Sequence, residues 1–596
     1  MANLVWKRRR QYAPKVKSGC RTCKLRHLKC DESRPGCHNC STAGIVCEGY
    51  GIWGGGTKAT EDERRRQPMP PPKRCKLPTL PAATQSLSRH NTSTPFHNLS
   101  HAERSCFDYF VNETVVKIPG VFFSHFWADL VLQASCSELP ILHAAVALAS
   151  AHRSAQLNLY GSAVLSSLSC CDANGNLDTH EAFALQQYNK SIAYLRACQF
   201  EEDNEAELRT ALVACVLYIS LELLRGDYTT AMIHARHGLN LLSKLKQDVE
   251  KQALCPKRLP ETIDDYLVEA FTRLSLQSAH VGAVDALFSV FQQQKFFTDW
   301  RLPQVFPALA QARRTFDSLM QAILTLAEQC RRLEVMGTAF PEELIQQHRS
   351  LRETTSSWIR TFRASLPTLN RTTKPANMQG LSLLCIYHTM ADIMVDTMLS
   401  TSERCFDEFT SAFTSIITKT IALYHNTSDT PCRQLCNDAR VSGFSFTVDL
   451  GTIPPLLYVA LKCRVPWLRR QAIALLLAAP HREGFWDGVI VAHNAHTVMA
   501  MEEKGFFEDF VLDLDSQPFD SPVQKNERYL HRIPKLPVTA RFCHVKVVMS
   551  RLKVGMGKLV CWRRSDNSNG GWDEVVEDFD LSAADRGDPQ GIYFLG

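Results

Sequence analysis

Residues Gly19 to Gly49 read GCRTCKLRHLKCDESRPGCHNCSTAGIVCEG, and six of them are cysteine. Cys20, Cys23, Cys30, Cys37, Cys40 and Cys47 follow the spacing C-x2-C-x6-C-x6-C-x2-C-x6-C, so Cys20–Cys30 and Cys37–Cys47 are two halves with one internal spacing. Each C-x2-C pair can set two thiolates on one metal at the turn entering a helix, as in closed structural zinc sites. Two tetrahedral zinc ions need eight ligand positions, which six cysteines supply only if two of them bridge both metals. A segment this short has little apolar core, so metal binding must provide most of its folding free energy.

Working outward, charge separates this end from the rest of the chain. Residues 1–80 hold 18 Lys+Arg against 6 Asp+Glu, whereas residues 81–596 hold 49 against 55. One end is built to meet a polyanion, with DNA or RNA the obvious partner. Arg21, Lys24, Arg26, His27 and Lys29 all stand in the first half-cluster, and no Lys or Arg stands between Cys37 and Cys47. On a short helix the first set forms a cationic face toward phosphates and the major groove. Two further basic runs flank the module: Lys7, Arg8, Arg9 and Arg10 before it, and Arg64, Arg65 and Arg66 with Lys73, Arg74 and Lys76 after it. Beside a DNA-binding module such runs predict nuclear import, with extra phosphate contacts from the first.

The composition then changes twice. Residues 51–100 carry Gly54–Gly56, Pro70–Pro72 and a Ser/Thr/Asn-rich stretch, which predicts a disordered linker. No apolar heptad runs through it, so no coiled coil is expected there. From 101 to 535 the pattern is helical. Leu208, Leu212, Cys215, Val216, Ile219 and Leu223 recur at three- and four-residue steps. Thr262 with Asp265 resembles a helix start, with Leu267, Ala270, Phe271 and Leu274 on one face behind it. Phe316–Leu333 and Leu344–Leu366 repeat the theme, the latter with Leu351, Trp358, Ile359 and Phe362 as its stripe. Past Pro537, in residues 536–596, Ala540–Val548 and Lys558–Trp562 look strand-like, and Asp573–Asp580 is acidic. The fold class is therefore a small zinc-organised N-terminal module (1–50) ahead of a large, mainly all-α domain, with short strands near the C-terminus.

The six-cysteine stretch resembles the binuclear zinc cluster of fungal transcription factors. That resemblance implies that Cys20 and Cys37 bridge two zinc ions, with Cys23 and Cys30 completing one site and Cys40 and Cys47 the other. It also places the base-reading contacts at Arg26 and His27, toward a short G/C-rich triplet. Lysine is common in the family at the His27 position, so the histidine leaves the base preference open, although it can still donate to guanine N7 or O6. Segments farther on resemble the helical regulatory domain of the same factors: CFDYF at Cys106–Phe110, LHAAVALASAH at Leu142–His152, LKCRVPWLRRQAIALL at Leu461–Leu476 and HREGFWDG at His481–Gly488.

Other function classes find little support. His234 and His237 have an H-x-x-H spacing without an acidic partner at the step a zinc protease needs. Gly443-Phe-Ser445 lacks the second glycine of a nucleophile elbow, and no phosphate loop or dinucleotide fingerprint occurs. No catalytic residue is expected. The apolar run from Thr210 to Leu221 is stopped by Arg209 and Glu222, short of the roughly 18 residues of a membrane span. The basic N-terminus lacks a secretory core, so the sixteen cysteines outside the cluster read as reduced thiols; the close pairs Cys170–Cys171 and Cys432/Cys436 lack partners to complete a metal set. Two acidic–aromatic segments, Phe506–Asp520 and Trp572–Leu581, have the composition of activation segments that meet coactivators, so an activator is favoured over a repressor. A homodimer, if formed, would pair through the large domain. The reading is a nuclear, sequence-specific transcription regulator. Its rival is a protein-interaction scaffold whose zinc module does not read DNA.

Overall fold

The computed structural model describes residues 23, 29–31, 33, 37–43, 99–161, 179–197, 204–249, 262–280, 302–373, 378–425, 445–478, 481–508, 518–521, 534–549, 556–565 and 571–580. The chain divides into two units, Met1–Ala83 and Thr84–Gly596. In the first, α1 (His38–Thr42) starts at Cys37, whose thiol accepts from the Cys40 amide at 3.3 Å.

The second unit is a large helical body. Its first helix, α2 (His101–Tyr109), opens on a reciprocal cap. The Ser100 hydroxyl accepts from the Glu103 amide, and the Glu103 carboxylate accepts from the Ser100 amide at 2.8 Å. α3 (Leu139–Gly161) packs on α2, α4 (Thr179–Ala197) and α5 (Glu205–Arg225). The sequence stripe on α5 understates its burial, because every residue from 209 to 224 is buried. A helix apolar round its whole circumference belongs at the centre of a body. The two charges that bound it are paired: Arg209 with Asp264 at 2.7 Å, and Glu222 with Arg225 at 2.6 Å.

α6 (Tyr228–Val249) and α7 (Ile263–His280) pack against α5. α7 opens on the expected pair, the Thr262 amide donating to Asp265 and the Asp265 amide to the Thr262 hydroxyl. Its predicted stripe is core, with Leu267, Phe271 and Leu274 buried. α8 (Leu309–Val335), α9 (Glu342–Thr372) and α10 (Gln379–Thr397) then pack on one another. Trp358 of α9 lies wholly buried between them, stacked on Phe362 and tilted against Phe316, with ring centroids 4.8 Å away in both cases. Its indole N–H donates to the Ala312 carbonyl at 3.2 Å.

After α11 (Thr410–His425) the body contains a small sheet that the sequence pattern does not announce. β1 (Ser445–Thr447) runs parallel to β2 (His481–Glu483), and β2 is antiparallel to β3 (Trp486–Asp487). Strands of two or three residues are too short to display a period of two. Between and after them lie α12 (Ile453–Lys462), α13 (Pro466–Ala478) and α14 (Gly488–Glu503).

The C-terminal strands form an antiparallel meander of β4 (His544–Met549), β5 (Met556–Arg564) and β6 (Trp572–Asp580). The expected strand at Ala540–Val548 starts later, because Val538–Ala540 is a 3-10 turn. Leu559, Cys561 and Phe579 cluster with Phe542 and with Ile490 and Val498 of α14. The acidic run 573–580 therefore lies entirely in one strand of a sheet, and its Phe579 is buried.

A buried ionic group ties this end to the body. Glu502, on α14, meets Arg464 at 2.8 Å and Arg469 at 2.7 Å, and it also accepts from the Phe542 amide at 2.7 Å. Burial pushes the Glu502 carboxyl up, but the two guanidinium groups outweigh it and hold it at about 2. A carboxyl depressed in the folded state stabilises fully above its unfolded value of 4.5, and this contribution fades as pH falls toward 2. Glu502→Ala removes the carboxylate shared by two buried cations, leaving Arg464 with Glu403 at 2.9 Å and Arg469 with Glu503 at 3.6 Å. The expected cost is about 3 kcal/mol, the lower end for breaking a buried ion pair. Urea unfolding of both proteins at pH 7 checks this; a loss below about 1 kcal/mol would mean that the cations find other partners.

Candidate metal centre

The C-x2-C spacing puts Cys37 at the start of α1 and Cys40 one turn in, so both thiols point to the same side of the helix entrance. Cys23 approaches from the preceding half-cluster. Its Sγ lies 3.5 Å from Cys37 Sγ and 3.8 Å from Cys40 Sγ. Two thiolates bound at 2.3 Å to one tetrahedral zinc stand about 3.8 Å apart. The sulfur positions thus fit a zinc ion, and the donors suit it chemically, since Cys23, Cys37 and Cys40 are fully buried and Cys30 nearly so.

Two overlapping donor groups are present among the described residues: Cys23, Cys37 and Cys40, and Cys30, Asp31 and Cys37. Cys37 stands in both, as a ligand shared by two metals must. The structure also brings Cys23 and Cys40 closer together than a division into separate metal sites requires. Cys20 and Cys47 lie outside the described residues.

A residue that ligand spacing does not flag holds the turn into α1. The Asp31 carboxylate accepts from the amides of His38 at 2.9 Å and Asn39 at 3.1 Å, and from the Ser33 hydroxyl. Those donors, Ser33 first, keep its carboxyl well below the usual carboxylate range. Asn39 donates in turn from Nδ2 to the Lys29 carbonyl at 2.7 Å, linking the two halves. The available signal is the D-x-S spacing shortly before the second C-x2-C.

Of the expected DNA contacts, Lys29 is exposed, and Arg21, Lys24, Arg26 and His27 lie outside the described residues. So do both basic runs, at 7–10 and 64–76, and the cysteine pairs at 170–171 and 432/436. His234 and His237 are not brought together as ligands. His234 Nε2 bonds the Tyr188 hydroxyl at 2.7 Å, and His237 is exposed. Cys106, Cys215, Cys330, Cys463 and Cys561 of the body are buried; burial pushes the thiols of Cys330 and Cys463 up to about 11.

Comparison with known proteins agrees with this geometry. Residues 18–52 match the fungal Zn(2)-Cys(6) binuclear cluster domain, a zinc-binding module. Residues 105–437 match the fungal specific transcription factor domain. The chain is 24% identical over 393 residues to the aspercryptin biosynthesis cluster-specific transcription regulator atnN of Emericella nidulans, covering 64% of this chain and 59% of that protein. It is 25% identical over 224 residues to the transcription regulator lscL of Purpureocillium lilacinum, covering 37% of this chain and 48% of that protein. Over 39 residues it is 56% identical to the transcription factor phomR' of Diaporthe leptostromiformis, 6% of either chain. No solved structure matches the chain.

Outer groups that orient metal ligands typically govern affinity by about 10–100-fold. Asp31→Ala is expected to keep zinc bound but to weaken it by that factor, measured by competition with a chromogenic chelator. Unchanged affinity would reduce Asp31 to a surface turn residue.

Proposed function

The chain belongs to the fungal specific transcription factor family, and from that membership we propose that it is a zinc-dependent, sequence-specific DNA-binding regulator of transcription. Members of this family are transcription factors and not enzymes. The observation that carries the proposal is the six-cysteine spacing inside a segment that holds 18 basic residues against 6 acidic ones. The close approach of Cys23, Cys37 and Cys40 supports it.

In this reading Cys20, Cys23, Cys30, Cys37, Cys40 and Cys47 hold two zinc ions, with Cys20 and Cys37 bridging. The folded module presents Arg21, Lys24, Arg26, His27 and Lys29 to the major groove. Phosphate contacts give most of the affinity and make it salt-dependent. Arg26 and His27 read bases, within a G/C-rich triplet. The runs Lys7–Arg10 and 64–74 direct the protein to the nucleus. Where two half-sites are read, pairing of chains falls to the helical body, because residues 51–100 have no apolar heptad.

Activation is the proposed sign of regulation, and it rests on Phe506–Asp520 engaging a coactivator. The second acidic segment is less suited, since most of it is β6. In the first, among the described residues Phe506 is exposed, Phe519 is half-buried and Phe507 is buried.

Zinc counting and random-site DNA selection on the full chain test the proposal. Two zinc ions per chain and an enriched motif lost with chelator are expected. Cys20→Ala should lose that motif through unfolding of the module. His27→Ala should keep zinc while discrimination at one base position falls by about 1–3 kcal/mol. Two zinc ions with no enriched sequence would favour the interaction-scaffold reading instead.

A further inference from the structure

A cavity of about 580 Å³ lies where the C-terminal meander meets the helical body, within the range of small-molecule sites. Met394 and Met398 of the α10 end, Phe406, and Leu461 of α12 supply its apolar side, with Trp562 of β5 opposite. Methionines give such a wall adaptability.

Its charged side is unbalanced. Arg331, Arg332, Lys462 and Lys546 line it against Glu328, Glu334 and Glu403. Each carboxylate already has a cation. Glu328 holds Arg331 and Arg332, at 2.6 and 2.8 Å. Glu403 holds Lys462 at 2.7 Å and is reached by Arg464 at 2.9 Å, while Arg564 sits 2.9 Å from Glu334. The last two cations add positive charge from just behind the lining. Lys546 makes no ion pair with a described residue.

His544, in the same wall, carries a buried Nε2 with no hydrogen-bond partner among the described residues; Glu334 is 3.7 Å away. Burial, then Lys462 and Arg331, push its imidazole down to about 3, so the ring is neutral at physiological pH. A neutral ring can offer an N–H or a lone pair to a guest without adding charge.

We propose that this cavity binds one small amphipathic organic anion, its acid group toward Lys546 and His544 and its apolar body against Met394, Met398 and Phe406. Such a guest would bridge β4 and β5 to α8, α10 and α12, and so stabilise the docking of the meander. The site is independent of the metal centre, so its failure leaves the DNA-binding reading untouched.

The probe is 8-anilinonaphthalene-1-sulfonate, titrated by fluorescence into the full chain, with the uncharged N-phenyl-1-naphthylamine as its comparator. Saturable binding of one sulfonate per chain is expected, tighter than that of the neutral compound. Lys546→Glu should weaken the sulfonate by about tenfold and leave the neutral compound unchanged. Ala327→Trp, which projects an indole from α8 into the cavity, should abolish binding of both. Unchanged helical circular dichroism establishes that the variants are folded. Absence of saturable binding, equal affinity for both compounds, or wild-type binding by both variants would each overturn the proposal.

Discussion

Inside the helical body Arg482 donates to Asp487 at 2.7 Å and to the Leu224 carbonyl at 3.0 Å, and both bonds are buried. Their position matters because every helix leaves four amides and four carbonyls without intrahelical partners. At a surface water satisfies them, but several ends here are interior. The Leu224 carbonyl belongs to the C-terminus of α5, which is buried from 209 to 224, and Arg482 is the side chain that reaches it. Glu483 accepts from the amides of Gly451, Thr452 and Ile453, at 2.6 to 3.2 Å, and so closes the start of α12. Asp487 accepts from the amides of Val489 and Ile490, at 3.0 and 3.2 Å, and closes the start of α14. One hairpin thus terminates three helices. Gly484, at φ +57°, makes its turn, where a side chain would also run into Gln277.

The same logic explains why so much charge is buried in LKCRVPWLRRQAIALL. Lys462, Arg464, Arg469 and Arg470 lie around α12 and α13, where Glu403, Glu502 and Glu503 await them. Removing charges from water is expensive, and the cost is recovered only when each ion is well paired. Arg541 extends the network, with Asp407 at 2.7 Å and the Leu536 carbonyl at 2.8 Å. The meander is therefore held by an ionic layer beneath its small apolar cluster. That arrangement leaves the open, cation-rich seam in which the proposed ligand cavity lies.

Legibility in the sequence followed the length over which a pattern repeats. The cysteine spacing, the Thr262 helix start and the stripe around Trp358 are local or periodic. Among the described residues the structure gathers Cys23, Cys30, Cys37 and Cys40, starts α7 at Thr262 and buries Trp358. β1 to β3 were not legible, because each is shorter than two periods of a strand. Asp31 escaped a reading based on cysteine spacing, since what marks it in the structure is its hold on the amides of His38 and Asn39. The acidic composition of 573–580 suggested a solvated segment, but alternation with Val575 and Phe579 fits a half-buried strand equally well. The cavity could not have been found, for its lining comes from residues more than two hundred positions apart.

The two units hold themselves together by different means. In the N-terminal unit the buried apolar cluster among the described residues consists of four cysteines and nothing else. Sulfur atoms packed that closely gain little as a hydrophobic core and much as ligands, so its stability is tied to metal and to thiolate chemistry. The body instead buries a large continuous cluster of aliphatic and aromatic side chains, with its polar helix ends closed by its own arginines and carboxylates. A chelator therefore acts on the N-terminal unit, whereas the described core of the body does not rest on metal ligands. Dependence on metal in this way belongs to the module proposed to meet DNA, and the proposed small-molecule site to the larger unit.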